Sequence, residues 1–150
     1  MEKTYRYGAK AQWYVNGRAY VEADHVVPIN IEFSSPPEFG GEPGVWTPEH
    51  FLLISVASCY VATFRAMAEA SHLDFRGIEV ATEGVIAKDS AGLRFTKIHV
   101  RPIVVLHQEE DRDRAARLME KAEKHCLIAR SLSSQIVLEP KMLIEAPLMV

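Results

Sequence analysis

Two cysteines are the residues of this chain most able to carry redox chemistry, and the sequence contains no other thiol. Cys59 lies within a nearly all-apolar stretch, 51–62, and Cys126 ends a charged amphipathic stretch. Two thiols that folding brings together can cycle between a dithiol and a disulfide. In peroxide reduction, a thiolate attacks the peroxide oxygen and becomes a sulfenic acid, which a second thiol converts into a disulfide. These residues therefore suggest redox chemistry as a hypothesis.

A reactive Cys59 would depend on its surroundings, because an apolar environment raises the pKa of a thiol. A nearby cation or a cluster of hydrogen-bond donors would have to stabilise the thiolate at neutral pH. Helical spacing also predicts that small residues surround the sulfur and leave room beside it. These neighbours are Ser55, Ala62, Thr63 and Ala66.

Two other interpretations of the cysteines stay open at this level. Cysteine is among the most frequently buried residue types, and buried thiols in an intracellular domain are usually inert packing. A zinc site is less well supported, because His125 and Cys126 together with Cys59 lack the paired spacing of structural zinc ligands. We expect no metal, flavin or haem, because in dithiol chemistry the two sulfurs themselves hold the oxidised equivalents.

Two helices are predicted to position the thiols. Thr47 as N-cap, with Pro48 and Glu49 in the first turn, predicts a helix over about 48–71, and its apolar residues surround the whole circumference up to Phe64. We therefore expect other elements to enclose this helix. A second helix over about 109–125 has a periodic apolar stripe that is predicted to be buried. The stripe consists of Ala115, Leu118, Met119, Ala122 and Cys126.

Strands are predicted on both sides of the first helix. Asn16-Gly17 between 13–15 and 19–21 is typical of a tight hairpin, and a third strand fits 28–33. Prolines and glycines over 34–46 then predict an irregular loop. A hairpin over 77–106 with its turn at 89–92 follows, and a last strand fits 136–138 with a tail to Ile144. The order predicts an α+β fold with mostly antiparallel pairing around a long central helix.

Length and composition indicate a single domain over 1–150 that buries an ordinary core. The net charge of -3 provides no basic surface for nucleic acid or for an anionic membrane. The first seven residues have no apolar core, so we expect no secretory signal. The apolar stretch at 51–64 is short for a membrane span, and we expect a cytoplasmic protein in which thiols stay reduced.

Three motifs of this chain occur in an order that is specific to one family. They are TPEHFLL at 47–53 followed by ASC at 57–59, HCLIARSL at 125–132, and PEFGG at 37–41. The first resembles the signature of the osmotically inducible protein C / organic hydroperoxide resistance (OsmC/Ohr) family, in which Pro-Glu opens the central helix and a cysteine follows ten residues after the Glu. The second resembles the second cysteine motif of its OsmC-like branch, and the third matches the loop before the helix. The resemblance covers nearly the whole chain in order of elements.

The resemblance implies a thiol peroxidase of organic hydroperoxides that works as an intertwined homodimer and takes electrons from an external dithiol. Cys59 would be the peroxidatic thiolate and Cys126 the resolving thiol. Glu49 would orient an arginine that holds the thiolate. Arg18 is the candidate for that arginine by its place among the first strands, although a solvated hairpin residue explains it equally well and Arg130 is an alternative cation. By analogy Phe39 and Trp46 would wall the substrate pocket, or else anchor their loop.

The spacing of Glu49 and Cys59 bears on the homodimer. Ten residues of straight helix separate them by about 15 Å along the axis. If both serve one site, Glu49 comes from a partner subunit or a long arginine spans the gap, and the first explanation is more economical. Other classes remain possible: a non-catalytic member of the fold that binds an apolar small molecule or senses redox state, or a structural domain with inert thiols.

Overall fold

The computed structural model of the chain describes residues 3–12 and 18–145, whose contacts group into two units. The first unit is Met1–Leu52 and the second is Leu53–Val150, so the division falls near the start of the longest helix. That the chain is a single domain stays a prediction.

The first unit contains a three-stranded antiparallel sheet in the order β1-β2-β3. Its strands are β1 (Ala9–Gln12), β2 (Ala19–Ala23) and β3 (Ile31–Phe33). The pairing of β1 with β2 agrees with the predicted hairpin, and β3 confirms the end of the predicted third strand. The predicted strand at 13–15 and the Asn16-Gly17 turn lie outside the described residues.

The predicted loop after β3 is confirmed, and it contains one 3-10 turn at Pro37–Phe39. Gly41 is needed in this loop because a Cβ at that position would lie 1.5 Å from the Ser35 carbonyl oxygen. The end of the loop returns to β3 through a bridge between Phe33 and Trp46. The loop therefore delivers the chain to the start of the long helix.

The long helix α1 (Pro48–Ala70) confirms the predicted helix almost to the residue. Thr47 Oγ1 accepts a hydrogen bond from the His50 backbone N–H at 3.2 Å, and His50 Nδ1 accepts one from the Thr47 N–H at 3.1 Å. This reciprocal pair satisfies two backbone donors that would otherwise lack partners at the helix start. Thr47 therefore acts as the predicted N-cap.

The prediction that α1 is enclosed on all sides is wrong for the described chain. One stripe at four-residue spacing is buried: Val56, Tyr60, Phe64 and Ala68. On another side Ile54 keeps 47% of its surface exposed. By length and composition alone α1 could cross a membrane, a test that core helices of soluble proteins also pass. Apolar composition around the circumference thus did not distinguish the stripe that packs from the faces that this chain leaves open.

The second unit is built on a long antiparallel hairpin of β4 (Phe75–Asp89) and β5 (Gly92–Leu106), as predicted. The predicted last strand is interrupted by Pro140 and forms β6 (Gln135–Leu138) and β7 (Lys141–Ile144). Both pair with β5 in parallel, one beyond the other along its free edge. The observed fold is therefore α+β with mainly antiparallel pairing and two parallel additions.

Two helices complete the second unit. A 3-10 turn at Glu109–Asp111 leads into α2 (Arg112–His125), and α3 (Leu127–Arg130) follows after one residue. The apolar stripe of α2 is buried as predicted, and α1, α2 and the inner face of β5 form the core. Tyr60 donates a buried hydrogen bond of 2.7 Å to the Met119 carbonyl oxygen. This bond fixes α2 against α1 beside the two cysteines.

Candidate dithiol site

Cys59 lies in the middle of α1, one residue before the buried Tyr60. Its side chain is half-buried, so its thiol is covered by protein without being sealed in the core. Thr63, one helical turn further on, places its Oγ1 4.0 Å from the Cys59 sulfur. The helix therefore presents the thiol at the boundary between core and surface.

Cys126 is the single residue between α2 and α3, and its extended backbone (φ -64°, ψ 111°) separates the two helices. Its side chain is 1% exposed, as the apolar stripe predicted. Folding brings the two sulfurs together, since the Cys126 thiol donates a hydrogen bond to the Cys59 sulfur. Both thiols are free, and they form one dithiol site within the second unit.

The surroundings of Cys59 lower the pKa of its thiol below the ordinary value. Burial acts in the opposite direction, but hydrogen bonds to the sulfur outweigh it. The strongest comes from the Ile128 backbone N–H, followed by the Cys126 thiol. The Thr63 hydroxyl, which lies within reach of the sulfur, and the Leu127 backbone N–H lower the pKa of Cys59 further. The thiolate is thus stabilised by neutral donors, most of them from the segment that begins at Cys126.

The contact between the two sulfurs, which lowers the pKa of Cys59, raises the pKa of Cys126. Burial first, and then the adjacent Cys59 sulfur, raise the pKa of Cys126 to about 11. Cys59 is therefore the thiol that ionises first, and Cys126 keeps its proton and donates it in the hydrogen bond. Burial also raises the pKa of the neighbouring Tyr60 hydroxyl, which stays neutral. The electrostatics assign different protonation states to the two sulfurs.

Glu49, Trp46 and Phe39 all lie in the first unit. The Glu49 carboxylate has an Oε2 atom that is buried and without a hydrogen-bond partner in the described structure. Trp46 stacks on Phe51 with ring centroids 5.9 Å apart and is 48% exposed. Phe39 is 53% exposed on its 3-10 turn. Trp46 thus has a packing partner consistent with an anchor, and both rings still offer apolar surface.

Arg18 also lies in the first unit, immediately before β2. Its guanidinium pairs with the Glu32 carboxylate, and a second carboxylate, that of Glu42, lies 3.7 Å away. The bond to Glu32 raises the pKa of Arg18 further above its ordinary value. Arg18 is therefore occupied by two carboxylates within its own unit.

The backbone N–H groups of Leu127 and Ile128 are the functional groups that sequence reasoning missed. They donate to Cys59 because the chain leaves the helical conformation at Cys126 and re-enters it at once. Neither glycine nor proline marks this break, and backbone donors carry no side-chain signature. Within 3–12 and 18–145, no three histidine, cysteine, aspartate or glutamate side chains converge on a point that could hold a metal ion.

An α+β fold whose long helix carries a half-buried cysteine, paired with a buried second cysteine, defines a class of dithiol proteins. The model of the OsmC-like protein family matches residues 41–141, which include both cysteines and the whole of α1. An uncharacterised protein of Bacillus subtilis, YmaD, is 32% identical over 136 residues, which cover 87% of this chain and 88% of that protein. The chain belongs to the OsmC-like family.

Solved structures show the same fold. An OsmC-like protein of unknown function from Vibrio cholerae superposes with a TM-score of 0.80 at 20% identity, over 91% of this chain and 99% of the other. A protein from Legionella pneumophila, described as an organic hydroperoxide resistance protein, gives a TM-score of 0.73 at 19% identity, over 95% and 99% of the two chains. At such identities the likeness concerns the fold alone.

Proposed function

We propose that this protein is a thiol-dependent peroxidase that reduces organic hydroperoxides through Cys59 and Cys126. The observation that carries the proposal is the asymmetric dithiol. The pKa of Cys59 is lowered, that of Cys126 is raised to about 11, and the second thiol is hydrogen-bonded to the first. A peroxidatic thiol must ionise, and a resolving thiol must stay close and protonated until it is needed.

The reaction balances with these two sulfurs and one external reductant. The Cys59 thiolate attacks the terminal oxygen of the hydroperoxide, the O–O bond breaks, and the alkoxide leaves and takes up a proton to become an alcohol. Cys126 sulfur then attacks the Cys59 sulfenic acid, and water leaves as the disulfide forms. An external dithiol reduces this disulfide by thiol–disulfide exchange and is itself oxidised.

Glu49 and Arg18 complete the proposed site as the family resemblance implies. The unpartnered Glu49 Oε2 supports this role, because a buried carboxylate oxygen without a donor is costly and a guanidinium would satisfy it. Arg18 would have to exchange one of its present carboxylates, Glu32 or Glu42, for this role. We expect Arg18→Gln to lower kcat/KM for cumene hydroperoxide about tenfold or more, while Arg6→Gln leaves it unchanged. Equal activity of both variants would remove Arg18 from the site.

We further propose that Phe39 and Trp46 contact the apolar part of the substrate.

We also propose that the protein is a cytoplasmic homodimer. Apolar side chains in the first unit remain open to solvent around a groove of about 940 Å³, among them Val26, Val27 and Ile29. An exposed apolar surface of this kind is typical of a protein–protein interface. Sedimentation equilibrium tests the assembly directly, and a monomer mass at micromolar concentration would exclude the dimer.

Rapid mixing with cumene hydroperoxide tests the proposed activity. The reduced protein should consume one equivalent of peroxide per chain and lose both free thiols in the same reaction. A Cys126→Ser variant should also consume one equivalent, but it should stop at a sulfenic acid that dimedone traps. Cys59→Ser is the matched control and should consume none.

Two outcomes would contradict the activity. The first is slow thiol labelling with no peroxide consumption, which would favour a binding or structural protein. The second is consumption that persists in Cys59→Ser, which would place the reactive group elsewhere.

A further inference from the structure

Thr63 has one hydroxyl proton and two acceptors within reach. Its Oγ1 donates a hydrogen bond of 2.8 Å to the Cys59 carbonyl oxygen, and the Cys59 sulfur lies 4.0 Å from the same oxygen. Because the residues are four apart on α1, their side chains lie one above the other on the same face. The hydroxyl can therefore donate its hydrogen bond either to the Cys59 carbonyl oxygen or to the Cys59 sulfur, after rotation of the O–H bond and a small adjustment of the side chain.

The bond from the Thr63 hydroxyl to the Cys59 carbonyl is dispensable. In an α-helix this carbonyl is the acceptor for the backbone N–H four residues later, which belongs to Thr63 itself. If the hydroxyl turned away, the carbonyl would keep that helical partner. No buried acceptor would be left alone, so the cost of turning is small.

The preferred acceptor depends on the charge of Cys59. A neutral thiol is a weak acceptor, so the hydroxyl donates to the carbonyl oxygen. A thiolate carries a full negative charge, and hydrogen bonds to ionised acceptors are roughly twice as strong as those between neutral groups. Loss of the proton from Cys59 therefore favours transfer of the Thr63 hydrogen bond from the backbone to sulfur.

We propose that Thr63 is a further catalytic residue, whose hydroxyl turns from the Cys59 carbonyl to the Cys59 sulfur when the thiol ionises. The role rests on the proposed peroxidase function for its purpose, although the switch itself requires only an ionising Cys59. Since both residues belong to one helix, the switch does not depend on a second subunit. It adds a donor to the backbone N–H groups of Leu127 and Ile128 at the moment when charge develops.

The test is the titration of Cys59 in full-length Cys126→Ser protein, which has a single thiol. Thiolate absorbance in the ultraviolet and the rate of alkylation by iodoacetamide are followed against pH. Thr63→Val should move the midpoint upward by about one pH unit, because a lost charge-assisted hydrogen bond disfavours the thiolate about tenfold. Thr63→Ser should restore the midpoint to within about 0.3 units, within the scatter of a retained bond. If Thr63→Val folds poorly, Thr63→Ala replaces it, and its midpoint should move upward by the same amount.

Ser58→Ala is the matched control, because Ser58 donates to the Ile54 carbonyl oxygen of the same helix at 2.8 Å without being a donor to Cys59. Its midpoint should equal that of the parent. A Thr63→Val midpoint equal to the parent, or a Thr63→Ser midpoint shifted as far as that of Thr63→Val, would overturn the inference. The titration is independent of peroxide. If Thr63→Val shifts the midpoint but the parent protein consumes no peroxide, the switch is supported and the peroxidase is rejected. If the protein consumes peroxide but Thr63→Val leaves the midpoint unchanged, the peroxidase is supported and the switch is rejected.

Discussion

At the scale of single residues, the pKa of the Cys59 thiol is set by individual hydrogen bonds. The sulfur is half-buried, which by itself would oppose ionisation, yet donors close to it reverse the effect. Two of these donors are backbone N–H groups, of Leu127 and Ile128, and they owe their direction to the extended backbone of Cys126. Cys126 therefore has two roles at this scale, since its thiol is a donor and its backbone positions two further donors.

Leu127→Pro removes one of these donors with little strain. Proline is favoured at the first position of a helix, and the extended Cys126 backbone suits a residue that precedes proline. Because a lost donor disfavours the thiolate, the pKa of Cys59 should rise, and the pH midpoint of its alkylation should move upward by about one unit. Reaction at neutral pH should slow accordingly. The measurement is the rate of iodoacetamide labelling against pH in the Cys126→Ser background.

Leu127→Ala is the control for this change, because it removes the 67% exposed side chain and keeps the N–H group. Its midpoint should stay at that of the parent. If the proline and alanine variants titrate together, the backbone donor has no part in stabilising the thiolate.

At the scale of elements, α1 separates two parts of the proposed site. Glu49 is in its first turn and Cys59 is ten residues later, about 15 Å along the axis. If both residues serve one site, we expect Glu49 to come from a partner subunit or a long cation to span the gap.

Subunit complementation distinguishes these two arrangements. Glu49→Gln and Cys59→Ser should each reduce peroxide consumption strongly when present alone. When the two variants are unfolded together and refolded as a mixture, heterodimers should recover up to half of the wild-type activity per site, because one site then combines an intact Glu49 with an intact Cys59. Refolded single variants serve as controls. No recovery in a mixture shown to contain heterodimers would mean that Glu49 and Cys59 of one chain act together.

The elements also show which parts of the fold the sequence could predict. The bounds of α1 were predicted closely because Thr47, Pro48 and the absence of glycine or proline are local signals. The buried stripe of α2 followed from its period. The parallel pairing of β6 and β7 with β5 depends on contacts between distant segments, so no local pattern could give it.

At the scale of the whole molecule, the pairing of the two cysteines could be predicted, but the groups that stabilise the Cys59 thiolate could not. Family motifs suggested that Cys59 and Cys126 act together, and the fold places them in contact. The sequence indicated that a cation or a cluster of donors must stabilise the thiolate, but it could not identify the backbone donors, because these depend on the break between α2 and α3. Likewise, apolar residues around α1 indicated enclosure, whereas the described chain covers one stripe.

The most direct test of the account is to identify the bond that peroxide creates. Reduced wild-type protein is treated with one equivalent of cumene hydroperoxide, digested without reductant, and analysed by mass spectrometry. We expect a single new species, in which the peptide containing Cys59 is joined to the peptide containing Cys126 of the same chain, and a dithiol should reverse this link. Unlinked peptides with both thiols intact, or a disulfide between two copies of Cys59, would contradict it.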